Sequence, residues 1–135
     1  MAALTINAAE VTTTGKTGTM IAEVEIEAGE YLYEDNANNN NANLADWDSE
    51  AAAKVKGMAL NNAAAGQPVN YVKPGSIITV TTATFTPGAV YVLGDAGATN
   101  PEADATTGKY LTVVGIGLTT TTMLFDVIES GIAHA

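Results

Sequence analysis

The sequence predicts an all-β domain, and three observations carry that expectation. Apolar residues make up 47% of the 135 positions and charged residues only 15%, a balance suited to a packed core rather than to disorder. β-branched and aromatic residues gather in short runs that alternate, as in IITVTTATF and AVYVLG. Glycine, proline and asparagine punctuate those runs at short intervals. At this length one domain with an arm is expected.

The elements follow in chain order. Residues 1–19, with Thr12, Thr13, Thr14, Gly15 and Lys16 in a Thr/Gly-rich stretch, show little periodicity and read as an extended N-terminal arm. From Met20, MIAEVEIEAG sets Met20, Ala22, Val24 and Ile26 against Glu23, Glu25 and Glu27, the pattern of a strand with one wet face. GEYLY is a short aromatic strand. The following loop holds six Asn in the eight positions 36–43, a composition that favours solvated turns. AAAKVKGMAL is ambiguous, because its alanines and the Glu50–Lys54 spacing favour helix. QPVNYV and IITVTTATF read as strands around a KPGS turn, and AVYVLG as another. DAGATNPEADATTG reads as a loop. KYLTVVGIGL and TMLFDVI close the chain as strands, with Met123, Phe125 and Val127 on one face.

An internal comparison resolves the ambiguity. A shift of 58 residues lays Tyr33 on Tyr91, Ala45 on Ala103, Asp46 on Asp104, Val55 on Val113, Gly57 on Gly115 and Leu60 on Leu118, six identities in 29 ungapped positions. The spacing predicts pseudo-repeats over about 28–66 and 87–124. AAAKVKGMAL then occupies the place of the β-run KYLTVVGIGL, so it is expected to be a strand preceded by one helical turn around 47–51. Gly57 and Gly115 mark matching points of close chain approach or bending.

Composition excludes several function classes. Fifteen Asp plus Glu against five Lys plus Arg give a formal charge of −10; phosphate backbones are bound by cations, so no nucleic-acid partner is expected. No apolar run reaches the roughly 20 residues of a membrane span, and the N-terminus has no secretory pattern, so the expectation is a protein made in a cytoplasm with no membrane partner. There is no cysteine, and the single histidine is His134; without a nucleophile and base no enzymatic activity is expected. Gly15-Lys16-Thr17 lacks the second glycine of a phosphate loop, since position 10 is Glu10. Asp35, Asp46, Asp48 and Glu50 surround the Asn-rich loop, but counting from Asp35 the sixth and twelfth positions are Asn40 and Asp46, which breaks the calcium-loop pattern. No metal and no cofactor are expected. Trp47, the one tryptophan, lies beside acidic residues, where it serves as a core plug, a partner contact or a sugar-stacking platform. Tyr31, Tyr33, Tyr71, Tyr91 and Tyr110 all fall in expected strands.

VKGMALNNAAAGQPVNYVKPG, PGAVYVLGDAG and PEADATTGKYLTVVGIGLTTTTMLFDVIESGIA form an ordered set. Together, over about residues 28–133, they resemble the small capsid decoration proteins of tailed bacteriophages, also called cement or head-stabilisation proteins. The resemblance implies a compact β-barrel or β-tulip-like domain, 20–135, often a homotrimer. It implies a place on the outer capsid surface of the virion, where the domain ties neighbouring major capsid protein subunits together against the pressure of packaged DNA. It carries no catalytic residues. The acidic balance suits an outward-facing protein, and an unpatterned arm suits strand addition to an exposed sheet edge. The expected capsid-binding residues are Thr12, Thr13, Thr14, Gly15 and Lys16 in the arm, with Trp47 and Asp48 in the first long loop. The alternative is a carbohydrate-binding or adhesive β-module of a head fibre, using Trp47 and Tyr31.

Overall fold

The computed structural model describes residues 11–13, 15–80 and 83–133. Eleven strands account for its regular structure: β1 Val11–Thr13, β2 Thr17–Ile21, β3 Tyr31–Asp35, β4 Asn41–Leu44, β5 Gly57–Ala59, β6 Pro68–Val72, β7 Ser76–Val80, β8 Val90–Leu93, β9 Thr99–Pro101, β10 Tyr110–Gly117 and β11 Thr122–Ala133. Only short 3-10 turns at Asn36–Asn38, Asp95–Gly97 and Glu102–Asp104 interrupt them. The fold is all-β, as the alternating runs predict.

The strands form two antiparallel sheets. One has six strands in the order β1-β7-β11-β10-β8-β9, the other five in the order β2-β6-β5-β3-β4. Leaving β1 aside, both follow one connection order. An offset of 58 residues carries each strand from β2 to β6 onto part of its counterpart from β7 to β11. The β3–β4 register, with Leu32 opposite Leu44, moves by that offset onto Val90-Tyr91 opposite Pro101-Glu102, and Tyr91 does pair with Pro101. The loops differ more than the strands.

The main core lies between the sheets. Tyr31, Met58 and Val72 of the five-stranded sheet pack with Ile78, Tyr91, Leu93, Val114, Met123 and Phe125 of the six-stranded one. Across the layers Tyr31 stacks on Phe125 with ring centroids 5.7 Å apart, and within them Phe85 meets Tyr91 edge-on at 5.5 Å. Burying such side chains stabilises by roughly 1.5–3 kcal/mol each. Alternation sends Leu32, Ala59, Val69 and Tyr71 to the other face of the five-stranded sheet, where Ala22, Ile26, Ala42 and Ala63 complete a second, smaller core.

That second core explains the departure at MIAEVEIEAG. The burial alternates as expected, with Ala22, Ile26 and Ala28 inside, but regular strand ends at Ile21. The backbone partners are scattered instead of laddered: Ala22 N–H donates to Gln67 O at 2.8 Å, Glu23 N–H to Ala42 O at 2.8 Å, Ile26 N–H to Ala63 O at 2.9 Å and Gly29 N–H to Ala59 O at 2.8 Å. A single parallel bridge, Ala22 to Ala42, joins the two edges of this sheet. Period-two burial reports which side is covered, and not whether one neighbouring strand supplies every hydrogen bond.

Four further boundaries move. The expected arm, 1–19, is not separate from the domain over its described part, because β1 pairs with β7 and β2 pairs with β6. The Asn-rich loop is a hairpin: Asn39 and Asn40 take left-handed φ of 58° and 59°, which asparagine tolerates, and the chain returns as β4. Asp35 builds that turn, accepting from Ala37 N–H at 3.1 Å, Asn38 Nδ2 at 2.8 Å and Asn43 Nδ2 at 3.2 Å. The amides of Asn38 and then Asn43 hold its carboxyl below the usual range. The second long loop contains β9, pinned to β8 from Tyr91–Pro101 to Leu93–Thr99. The expected helical turn sits slightly later, where Ala53 N–H donates to Ser49 O at 3.0 Å.

Candidate interaction surface

The residues expected to bind a partner separate into two places. Thr12 and Thr13 lie in β1, opposite Thr79 and Ile78, and the Thr13 hydroxyl donates to Ile77 O at 2.9 Å. Thr14 lies outside the described residues. Gly15 sits directly against Ser76, leaving no room for a side chain. Lys16 is exposed, and its carbonyl accepts from Lys73 N–H at 2.8 Å. The backbone of this stretch is therefore spent largely on holding two sheets together.

Trp47 and Asp48 belong to a knot on the other side of the six-stranded sheet. Trp47 is only 5% exposed, the environment of a core plug among the three roles expected for it. Its indole N–H donates to Asp95 Oδ1 at 2.7 Å, its carbonyl accepts from Tyr110 N–H at 2.8 Å, and the Lys109 ammonium stands 5.7 Å from the ring centroid. Tyr31 is fully buried, so neither ring named for a sugar platform reaches the surface. Asp48 is exposed and pairs with Lys109. The Asp48 hydrogen bond, with Asp95 and Asp46 nearby, raises the Lys109 ammonium above its ordinary value, against a smaller effect of burial. Carboxylate oxygens of Asp46, Asp48 and Asp95 lie within 4.8 Å of one another, but each has an internal donor: Asp48 N–H and Ala96 N–H for Asp46, Lys109 for Asp48, Trp47 for Asp95. These bonds tie loops 45–48 and 94–98 to the start of β10.

A groove of about 510 Å³ runs between the β3–β4 hairpin and the 51–56 segment, open to solvent and lined by Tyr33, Asp35, Lys54, Lys56 and Glu129 among others. His134 lies outside the described residues.

The outer face of the six-stranded sheet is different in kind. Val90 pairs with Ile116, Ile116 with Leu124, and Leu124 with Ile77. Directly paired residues share a face, so four aliphatic side chains form one row across β8, β10, β11 and β7. Ile77 and Ile116 are exposed, and Val90 and Leu124 half-buried. A second row sets Val92 against Val113 and Val113 against Ile128; of these Ile128 is exposed, Val113 half-buried and Val92 already buried. The neighbouring inner row, Tyr91, Gly115, Phe125 and Ser76, is core. An antiparallel sheet with one wet face alternates apolar with polar; here both faces are apolar, with Asp126 as the exposed acid between the rows.

Sequence reasoning singled out Met123, Phe125 and Val127, which do face inward, and missed Leu124, Ile116 and Ile128. The signal was present in the unbroken Met123-Leu124-Phe125 and Val127-Ile128 runs. Continuous apolarity in a strand means that both faces are prepared for cover. No protein-family model matches this chain, and no curated protein matches its sequence.

Proposed function

We propose that this chain is a structural virion protein of a tailed phage, bound as a homotrimer to the outer capsid surface, where it ties neighbouring major capsid protein subunits together. The observation that carries the reading is the aliphatic outer face of the six-stranded sheet. A face of that composition gains free energy when covered, about 1 kcal/mol for each half-exposed aliphatic side chain. Single contacts of that size are weak, but repeated copies on one lattice add through effective concentration. The formal charge of −10 supports an outward position, away from packaged DNA.

Electron microscopy of purified virions tests the location: density for this chain outside the shell at three-fold positions supports the reading, and its absence from particles refutes it. Shell-binding assays test the surface. Ile77→Glu with Ile116→Glu, both at exposed positions, are expected to leave a folded protein that no longer binds shells; undiminished binding removes the aliphatic face from the proposal. The arm is tested by deleting residues 1–10 only, because removing 1–19 also takes away β1 and most of β2.

A further inference from the structure

Strand β11 runs for 12 residues, but β7 covers only its first four, from Thr122 opposite Thr79 to Phe125 opposite Ser76. Gly75 N–H closes that stretch by donating to Phe125 O at 2.7 Å. From Asp126 onward β10 continues along one side, with Ile128 opposite Val113 and Glu129 opposite Thr112, and after a register shift over Ser130–Ile132 it resumes with Ala133 opposite Tyr110. Among the described residues no strand pairs with the other side. The backbone there turns to its own side chains: Asp126 Oδ1 accepts from Val127 N–H at 3.1 Å, and the Ser130 hydroxyl accepts from Ile132 N–H and donates to Ile132 O, each at 3.1 Å. Such an edge is a template for an added strand. The two most exposed large apolar side chains of the described residues, Ile128 at 65% and Ile132 at 71%, lie on this same segment.

We propose that this free edge pairs, antiparallel, with the same edge of a second copy of the chain about a two-fold axis at Ser130. In that register Ile128 stands opposite Ile132 of the second copy and Ile132 opposite its Ile128, so one contact covers both pairs. Glu129 stands opposite Gly131, and no like charges oppose each other. Moving the axis to Glu129 sets two glutamates face to face and Asp126 against Ile132, and moving it to Gly131 sets each Ile132 against a serine. Like charges directly opposite destabilise a strand pair while aliphatic pairs favour it. Of these three registers the sequence of the edge favours the one at Ser130, which alone covers both isoleucines of each copy, and the closed two-fold contact uses the same residues twice. It continues the six-stranded sheet, with its aliphatic outer rows, into the second copy.

A strand pair of this length sits at or below the roughly 1,200 Å² that marks the low end of specific interfaces, so the isolated contact is weak. Two copies of formal charge −10 also repel. Salt screens that repulsion over about 10 Å at 0.1 M, so the association tightens as salt is added, the reverse of a contact between oppositely charged faces. The contact is independent of shell binding; on a shell it links chains of neighbouring trimers.

The absence of cysteine allows a direct test in the full chain. Facing Cβ atoms at the axis stand about 4.5–5.5 Å apart, and strand-pair Cα separations lie within the span of a disulfide. Ser130→Cys under mild oxidation is expected to give a covalent dimer roughly ten-fold faster than the exposed turn control Ala64→Cys, because pairing raises the local thiol concentration; equal rates overturn the proposal. Mixing Ile128→Cys with Ile132→Cys should cross-link where neither does alone, and self-cross-linking of Ile128→Cys overturns the register. Sedimentation of the unmodified chain should show more dimer at high salt than at low salt. Dissociation by salt overturns the proposed contact.

Discussion

Replacing Gly57 by alanine places a methyl group between β5 and β6, where the neighbours are backbone and a buried ring. A Cβ built there lies 2.5 Å from Val72 O and 2.5 Å from Tyr71 Cδ2, with Tyr71 Cγ at 3.2 Å. Real carbon–oxygen contacts need more than 3.0 Å, so β6 must shift or Tyr71 must leave its place in the smaller core. Neither moves freely: β5 is held between β3 and β6, with Lys56 N–H donating to Leu32 O at 2.7 Å and Leu60 N–H to Asn70 O at 2.8 Å. Overpacking of this kind costs about 1–3 kcal/mol, and removing a strand glycine returns about 0.5–1 kcal/mol through the unfolded chain. With two clashes at 2.5 Å the cost falls at the upper end of that range, about 3 kcal/mol, so the net expectation is a loss of about 2 kcal/mol, or about 8 °C in Tm for a domain of this size. Thermal unfolding followed by circular dichroism measures it. The control is Gly66→Ala, which meets nothing within 4 Å and pays only for its φ of +85°, about 1 kcal/mol. A Gly57→Ala protein that melts no lower than Gly66→Ala refutes the close-approach argument.

Burial pushes the Tyr31 phenol far above its ordinary range, with the Thr99 hydrogen bond opposing. A folded pKa above the unfolded one means that this contribution is complete below about pH 10 and is lost as pH rises further, by up to about 1.4 kcal/mol per pH unit. Tyr31→Phe should flatten the alkaline loss of stability seen in denaturant titrations, while costing about 1–2 kcal/mol at neutral pH because the Thr99 hydroxyl, 2.9 Å away, loses its acceptor. An unchanged alkaline slope contradicts this. Burial also raises the Glu30 carboxyl, against the Glu27 backbone hydrogen bond and with help from the Glu27 and Glu25 charges. Its ionised form therefore weakens the fold, and Glu30→Gln should stabilise the protein at pH 7, with the gain fading as pH falls through the raised folded value and gone by about pH 4; a gain that persists at pH 3 points to another cause. Trp47, at 5% exposure, should be poorly quenched by acrylamide, and efficient quenching would return it to the surface.

The strands were legible wherever one covalent run carried its own pattern. YLYED, PVNYV, SIITV, VYVL and the two closing runs alternate or cluster β-formers strongly enough to name themselves, whereas of AAAKVKGMAL, expected as a strand from the 58-residue offset, only Gly57–Ala59 is strand. The segments that misled were those whose partners lie far along the chain. Residues 22–30 alternate like a strand but take their hydrogen bonds from residues 42, 59, 63 and 67. β4 and β9 consist of NANL and TNP, sequences without β propensity that are strands because β3 and β8 hold them.

The sequence by itself determined that the chain folds as all-β and that it carries a charge of −10. These are properties of local pattern and total composition, which no partner segment alters. Only the tertiary structure decided that the Thr-rich stretch bridges two sheets, that Trp47 is sealed by Asp95 and Lys109, and that Ile77, Leu124, Ile116 and Val90 form one row. The reason is physical: a side chain's exposure and an edge's freedom depend on which distant segment covers them, and that covering is settled by packing across the sheets.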